Sequence, residues 1–137
     1  MEQQHLFNFY SEPEEDENSR RCIKCNLVKD LSCFATRDRG AYHRTECKSC
    51  ANEVRKLLEE LKKNHTAPDQ DYICPICSGS YDDVSGKGGK NNSVWCLDHN
   101  HKTKQFRGWL CHKCNRGLGA FNDDIKFLKN AIRYLEG

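Results

Sequence analysis

The sequence predicts a small α+β fold that is stabilised by bound metal as well as by an apolar core. The chain has 137 residues, and only 36% of them are hydrophobic, which is low for a single core in a chain of this length. Eight of its 10 cysteines form four Cys-x-x-Cys pairs. Because metal sites often replace missing core area in small modules, we expect these pairs to bind structural zinc.

The four cysteine pairs follow one another along the chain, and this order predicts two sequential metal sites. Two cysteines separated by two residues can fill two of the four tetrahedral positions around Zn²⁺, so each pair needs a second one. We therefore expect two structural Zn²⁺ ions, one in each of two short modules. The predicted ligands are Cys22, Cys25, Cys47 and Cys50 at the first site, and Cys74, Cys77, Cys111 and Cys114 at the second.

A secreted, disulfide-bonded protein is the competing interpretation of these cysteines. The first residues do not show the basic segment followed by an apolar segment that is typical of a secretory signal. We therefore expect reduced cysteines and a location in the cytoplasm or the nucleus. For a viral protein, the cytoplasm would be that of the host cell. No apolar run reaches the length of a transmembrane helix, so no membrane span is expected.

Charge is distributed unevenly along the chain, although the formal net charge is only +2. Six acidic residues and no lysine or arginine lie in residues 1–18, and we predict a disordered acidic tail over residues 1–19. The rest of the chain carries all 22 basic residues but only 14 of the 20 acidic ones. A basic body of this kind suits contact with phosphate, so DNA is an expected partner.

The first half of the basic body is predicted to contain a metal module and a linker. Residues 20–51 hold two cysteine pairs and should form a zinc-ribbon-like module with a small core of Leu31, Phe34 and Tyr42. Apolar residues then recur at helical spacing until a proline follows, which predicts a helix over residues 52–64 within a helical linker that covers residues 52–69. Whether the first module contacts DNA stays open at this level.

Residues 70–137 form the last predicted module. Alternating apolar residues predict strands over 94–99 and 105–110 that pair as a hairpin, and a glycine-rich stretch predicts a surface loop over 85–93. A helix, a polar break and a second helix that ends near Glu136 should follow. The apolar face of the last helix is expected to pack on the core.

Three short stretches in this module carry a catalytic hypothesis. They are Leu97-Asp98-His99-Asn100-His101, Arg107-Gly108-Trp109-Leu110-Cys111 and Cys114-Asn115-Arg116-Gly117-Leu118-Gly119. With the cysteine pair at 74–77, these stretches resemble the recombination endonuclease VII family of phage nucleases, a branch of the HNH or ββα-metal endonucleases. The resemblance covers roughly residues 72–135 and implies a β-hairpin followed by a helix around one catalytic cation.

The resemblance implies roles for the polar residues of these stretches. Asp98 and Asn115 would hold a catalytic Mg²⁺ or Mn²⁺ through hard oxygen ligands, and His99 would be the general base that deprotonates water. His101 is a second candidate, because strict strand alternation sends it to the same face as His99 and sends Asp98 to the opposite face. The basic residues expected to contact substrate are Lys104, Arg107, Lys113 and Arg116.

The sequence departs from the family pattern at two positions. Lys104 stands at a turn position where glycine is common, so the tip of the hairpin can differ. Leu118 stands where some relatives have a catalytic glutamate, so a third carboxylate ligand is not expected. His112 is expected to be a polar residue on the surface or with local partners, rather than a catalytic one.

Three classes of function fit parts of the sequence. The favoured one is a metal-dependent DNA endonuclease or nickase, with branched and junction DNA among its candidate substrates. The alternative is a non-catalytic, zinc-dependent nucleic-acid-binding protein, which would need none of Asp98, His99 and Asn115 to fold. A RING-like ubiquitin ligase adaptor would interleave its cysteine pairs, whereas a helix and a proline separate the two sets here. Both a monomer and a homodimer fit the sequence.

Overall fold

The computed structural model describes residues 14–86 and 93–137. Most of the predicted acidic tail and most of the predicted surface loop at 85–93 lie outside these ranges. The described chain divides into two compact units, one that ends at Lys56 and one that begins at Leu57.

The first unit contains two antiparallel β-hairpins that lead into a helix. The strands are β1 (Ser19–Arg21), β2 (Val28–Asp30), β3 (Phe34–Arg37) and β4 (Tyr42–Cys47). The helix α1 covers Lys48–Asn64. The interior of this unit is small, and its most buried side chains are those of Cys22, Phe34 and Cys47.

Only one of the three residues predicted to form the core of the first unit is buried. Phe34 is 1% exposed, whereas Leu31 is partly exposed and Tyr42 is 67% exposed. Tyr42 begins β4 directly opposite Arg37, next to the hairpin turn, whereas the buried Phe34 faces Cys47 at the other end of the hairpin. The prediction was wrong for Leu31 and Tyr42 because cysteine side chains fill most of this small interior.

The helix predicted to end at residue 64 does end there, but it begins four residues earlier than the predicted start at residue 52. Cys47 is the last residue of β4, and Cys50 lies in the first turn of α1. The second cysteine pair therefore spans the junction between strand and helix. Hydrophobic periodicity does not reveal a helical turn that packs a cysteine rather than a leucine against the rest of its module.

Besides the end of α1, the second unit contains a β-hairpin and three helices among its described residues. The elements are α2 (Tyr81–Val84), β5 (Trp95–His99), β6 (Phe106–Cys111), α3 (His112–Ala120) and α4 (Ile125–Glu136). The hairpin is confirmed, with each bound within one residue of its predicted place, and so is the order of hairpin, helix and second helix. The short α2 was not predicted. It begins with a capping box in which Ser80 and Asp83 each accept a hydrogen bond from the other's backbone amide.

The hairpin has one face on the core and one face partly open. Trp95, Leu97 and His99 of β5 are buried, whereas Cys96 and Asp98 are partly exposed. The core face packs with further apolar residues of the same unit, which are Leu58, Leu61, Tyr72, Val84, Trp109 and Leu110. Asp98 and His99 therefore point to different faces, as strict strand alternation predicts.

The last helix differs from its prediction in burial rather than in position. Asp124 caps α4 by accepting hydrogen bonds from the amides of Lys126 and Phe127, which confirms the predicted break and restart. Its apolar side chains, however, are mostly exposed: 68% for Ile125, 56% for Ile132 and 83% for Leu135. The prediction of core packing was wrong for most of this face, of which only Leu128 and Ala131 are partly buried in the described chain. No described helix is both long and apolar enough to span a membrane.

Candidate functional site

The first cysteine cluster has the geometry of a tetrahedral zinc site. The Sγ atoms of Cys22, Cys25, Cys47 and Cys50 all lie within 4.8 Å of one another. Cys22 Sγ and Cys50 Sγ are 3.9 Å apart. Four Zn–S bonds of about 2.3 Å in a tetrahedron place the sulfurs about 3.8 Å apart, so the spacing fits Zn²⁺.

The second cysteine cluster has the same geometry in the other unit. The Sγ atoms of Cys74, Cys77, Cys111 and Cys114 also lie within 4.8 Å of one another, and those of Cys77 and Cys111 are 3.8 Å apart. Cys111 is the N-cap of α3, and its sulfur accepts a hydrogen bond from the amide of Cys114. The sequential grouping of the cysteines is therefore confirmed, and both groups could hold zinc.

The first cluster also contains groups that stabilise a thiolate, which is the form that binds metal. The hydroxyl of Ser49 and the ammonium of Lys29 lie 3.1 Å and 3.2 Å from Cys47 Sγ. The hydrogen bond from Ser49, followed by the amide of Cys50, lowers the pKa of Cys47 to about 5. These contacts therefore favour the ionised form of Cys47 over its neutral thiol.

An ion pair joins the two strands at the partly open face of the hairpin. Arg107 Nε donates to Asp98 Oδ2 at 2.7 Å, and Arg107 Nη2 donates to Asp98 Oδ1 at 2.9 Å. The strand register shifts between Asp98, which faces Gly108, and His99, which faces Phe106. Arg107 is the residue left over by this bulge, and its guanidinium forms a two-point contact with the Asp98 carboxylate.

A second carboxylate, which the sequence analysis did not identify, joins this ion pair. Asp123 Oδ2 accepts a hydrogen bond from Arg107 Nη2 at 3.1 Å and lies 3.1 Å from His101 Nδ1. Asp123 lies between α3 and α4. It is 16 positions away from Arg107 in the sequence. The only hint in the sequence was the polar break between two helices, which does not indicate where the side chain points.

The two candidate bases of the hairpin contact each other. The ring centroids of His99 and His101 are 4.9 Å apart, with an angle of 69° between the planes. His99 is 7% exposed, whereas the side chain of His101 is 56% exposed. Burial, followed by the nearby His101, lowers the pKa of His99 from its ordinary value. His99 is therefore a neutral imidazole at neutral pH and can accept a proton.

Three of the remaining predicted site residues line two grooves of the second unit. Asn115, on α3, lines a groove with Ser93, Cys96 and His112, and the described lining of this groove includes neither Asp98 nor His99. Lys113 and Arg116 line a groove beside the sulfurs of the second cysteine cluster. The pairing of Asp98 with Asn115 around one cation stays a prediction.

Two further positions explain features that the sequence left open. Lys104 has a φ of 64°, which lies in the left-handed region that glycine adopts most easily. His112 has partners on both ring nitrogens: Cys96 Sγ is 3.1 Å from Nδ1, and the carbonyl oxygen of Ser93 is 2.7 Å from Nε2. These contacts support the interpretation of His112 as a locally bonded polar residue.

Comparisons with known proteins identify similar chains. The model of the recombination endonuclease VII family matches residues 53–137. The Gene 59 protein of Mycobacterium phage L5 is 40% identical over 65 residues, which are 47% of this chain and 33% of that protein. The Gene 59 protein of Mycobacterium phage D29 is 38% identical with the same coverage. The chain thus spans about a third of the length of the curated relatives it matches.

Among solved structures, the chain is similar to the crystal structure of the ββα-Me type II restriction endonuclease Hpy99I. The TM-score is 0.49 and the sequence identity is 28%. The match covers 87% of this chain and 65% of that one.

Proposed function

The chain belongs to the recombination endonuclease VII family, and from this premise we propose that it is a metal-dependent endonuclease or nickase that hydrolyses phosphodiester bonds in DNA. The observation that carries the proposal is the cluster at the end of the hairpin, where Asp98, Arg107, His101 and Asp123 are linked and His99 is adjacent. We assign the activity to residues 70–137. The zinc-ribbon-like module at 20–51 and the helical linker at 52–69 would support DNA contact and folding.

The donor atoms of the site suit a hard divalent cation. Asp98 offers carboxylate oxygens, and Asn115 offers an amide oxygen, which are ligands that Mg²⁺ and Mn²⁺ prefer. A cation held there would offset negative charge on the phosphate and on the leaving oxygen. Both cysteine clusters differ from this set of oxygen ligands. Four thiolates suit Zn²⁺ and would leave no coordination position for water or substrate. We therefore give zinc a structural role and the oxygen ligands the catalytic one.

His99 would act as the general base. Its imidazole is neutral at neutral pH because burial lowers its pKa. It can therefore take a proton from the water that attacks phosphorus, while one P–O bond of the backbone breaks. His101 lies beside it with a more exposed ring and would contact the water or the phosphate. His99 and His101 would thus have different roles, proton transfer for His99 and contact with water or phosphate for His101.

Basic side chains around the cluster would bind the DNA backbone. Arg107 is partly exposed, and its guanidinium can pair with a phosphate as well as with Asp98. Lys104 lies at the exposed tip of the hairpin, and Lys113 and Arg116 lie beside the second cysteine cluster. The basic body supports this proposal, since phosphate contacts by lysine and arginine provide most of the affinity for DNA.

A cleavage assay on a panel of DNA substrates tests this function. The zinc-loaded protein would be incubated with Mg²⁺ and a four-way junction, a nicked duplex, a single strand and a plain duplex. We expect cleavage of at least one of these substrates, and we expect saturating calcium in place of magnesium to slow it. Binding of DNA without cleavage in Mg²⁺ or Mn²⁺, by a protein with both zinc sites filled, would favour the non-catalytic alternative and overturn the proposal.

A further inference from the structure

Asp123 is a carboxylate at the site that the family motif does not provide. The motif stretch ends at Gly119, and the position where some relatives have a glutamate holds Leu118. Asp123 comes from the segment between α3 and α4, and only 14% of its side chain is exposed. One of its oxygens, Oδ2, accepts a hydrogen bond from Arg107 Nη2 and lies 3.1 Å from His101 Nδ1. A single carboxylate oxygen thus links the ion pair of the hairpin to the histidine pair.

The charges of this cluster explain what a second carboxylate would do. Arg107 Nη2 bonds to Asp98 Oδ1 at 2.9 Å and to Asp123 Oδ2 at 3.1 Å. Alone, the guanidinium would offset the charge of Asp98 and weaken its attraction for a cation. With Asp123 present, two carboxylates share one guanidinium, and the trio keeps one net negative charge. The cluster can therefore contain Arg107, which would contact the phosphate, and still attract a divalent cation.

The short distance between Asp123 and His101 favours one position for the proton of that ring. An ionised carboxylate can only accept hydrogen bonds, so a neutral His101 whose Nδ1 lies 3.1 Å from Asp123 Oδ2 is favoured with its proton on Nδ1. The lone pair then lies on Nε2, at the other side of the ring. Carboxylate partners orient catalytic and metal-binding histidines in this way in many proteins. Asp123 would thus select both the tautomer and the orientation of the ring that contacts His99.

The backbone at this segment is held in a conformation that most residues avoid. Asn122 and Asp123 have φ values of 52° and 55°, so two consecutive non-glycine residues lie in the left-handed region. Their amides donate to the carbonyls of Gly119 and Leu118 at 3.0 Å, which closes the end of α3. Glycine would adopt this conformation more easily than aspartate. Backbone geometry alone therefore does not account for a carboxylate at position 123.

We propose that Asp123 is a positioning residue of the nuclease site. It holds His101 with the proton on Nδ1 and shares Arg107 with Asp98, so that Asp98 keeps enough negative charge to attract a cation. The inference rests on the proposed function, because it assigns Asp123 to that same site. It would also supply, from the boundary between α3 and α4, a second carboxylate to a site in which Leu118 departs from the family pattern.

Two glycine variants separate this role from a purely structural one. Asp123→Gly and Asn122→Gly each remove one left-handed non-glycine residue, but only the first removes the carboxylate. We expect both proteins to keep their zinc and their thermal midpoint. With the best DNA substrate, Asp123→Gly should lower kcat about 10- to 100-fold and raise the Mg²⁺ concentration for half-maximal rate. Asn122→Gly should match the unaltered protein, and equal kinetics for the two variants would overturn the proposal.

A conservative variant separates the two duties of the carboxylate. Asp123→Asn keeps an oxygen that can accept from His101 Nδ1 but removes the negative charge. It should therefore keep the tautomer of His101 while raising the Mg²⁺ concentration for half-maximal rate. Asp124→Asn removes the same charge one residue away and keeps a good N-cap for α4, so it is the matched control. A Mg²⁺ requirement that rises equally in both variants would contradict the charge argument.

A spectroscopic measurement decides the His101 contact without any cleavage. In ¹⁵N-labelled protein the ring nitrogen shifts of neutral His101, assigned with His101→Ala, report which nitrogen carries the proton. We expect the Nδ1–H form in the unaltered protein and in Asp123→Asn, and a mixture of tautomers in Asp123→Gly. If Asp123→Gly left the ring spectrum unchanged, the proposal would be overturned. If the unaltered protein cut no DNA, the proposed function would fail, while this comparison would still decide whether Asp123 orients His101.

Discussion

Arg107 contacts the carboxylate of Asp98 at two points, with Nε 2.7 Å from Oδ2 and Nη2 2.9 Å from Oδ1. The contact crosses the hairpin at the bulge, where the strand register shifts next to Asp98. Each oxygen of a carboxylate has two lone pairs, so Asp98 can hold this guanidinium and still offer lone pairs to a cation. Arg107 and the cation could then both contact Asp98 without a steric clash, but each would reduce the attraction of Asp98 for the other through its positive charge.

This relationship predicts opposite effects of one substitution on metal affinity and on rate. Arg107→Ala should lower the Mg²⁺ concentration for half-maximal rate, because Asp98 loses its positive partner. It should also lower kcat on the order of 100-fold, because a donor to the phosphate is lost. Arg107→Lys keeps the charge but not the two-point fork, so its Mg²⁺ requirement should stay near that of the unaltered protein. A higher Mg²⁺ requirement in Arg107→Ala would show that the arginine assists the cation instead.

The two cysteine clusters predict two zinc ions per chain, and disrupting one cluster should remove only the zinc bound there. The unaltered protein should contain two Zn²⁺ per chain, and Cys111→Ser should contain one and lose the folded hairpin of the second unit. A structural Zn²⁺ contributes on the order of 10 kcal/mol to the folding of such a module. The control is Cys33→Ser, because Cys33 is exposed and outside both clusters. Metal analysis with thermal unfolding measures this, and two zinc ions in a folded Cys111→Ser would contradict the assignment.

The pairing of the cysteines and the hairpin could be predicted because both depend on local spacing. Two cysteines three positions apart face one ion, and alternation along β5 places Trp95, Leu97 and His99 on one face. The position of Asp123 could not be predicted, because it depends on how α3 ends and on a left-handed backbone at two residues. The periodicity of apolar residues in the sequence does not indicate where the Asp123 side chain lies.

Burial was harder to predict than secondary structure. The bounds of α4 were close to the prediction, yet Leu135 is 83% exposed. The apolar pattern shows which face of a helix can be buried, but not whether another part of the chain covers it. Tyr42 was misassigned for a related reason, because an interior filled largely by cysteine side chains has little room for a second aromatic ring.

The pKa of His99 predicts the acid side of the pH–rate profile. Burial lowers this pKa below the ordinary value of 6.5, so the imidazole stays neutral and able to accept a proton as the pH falls through 6.5. The rate kcat/KM should therefore decline only at lower pH, when His99 finally becomes protonated. The profile should be recorded at saturating Mg²⁺ and constant ionic strength. A decline that begins well above pH 6.5 would assign the base to another group.

The central claim is that the buried His99 performs the proton transfer, and one comparison of cleavage rates tests it most directly. His99→Ala and His101→Ala would be measured on the best DNA substrate in Mg²⁺, with zinc content and DNA affinity checked in both. We expect His99→Ala to keep both zinc ions and bind DNA normally, but to lose about 10²- to 10⁴-fold in rate, which higher Mg²⁺ or Mn²⁺ should not restore. His101→Ala should lose less. An inactive His101→Ala beside an active His99→Ala would move the base to His101, and full activity in both would contradict the account of this site.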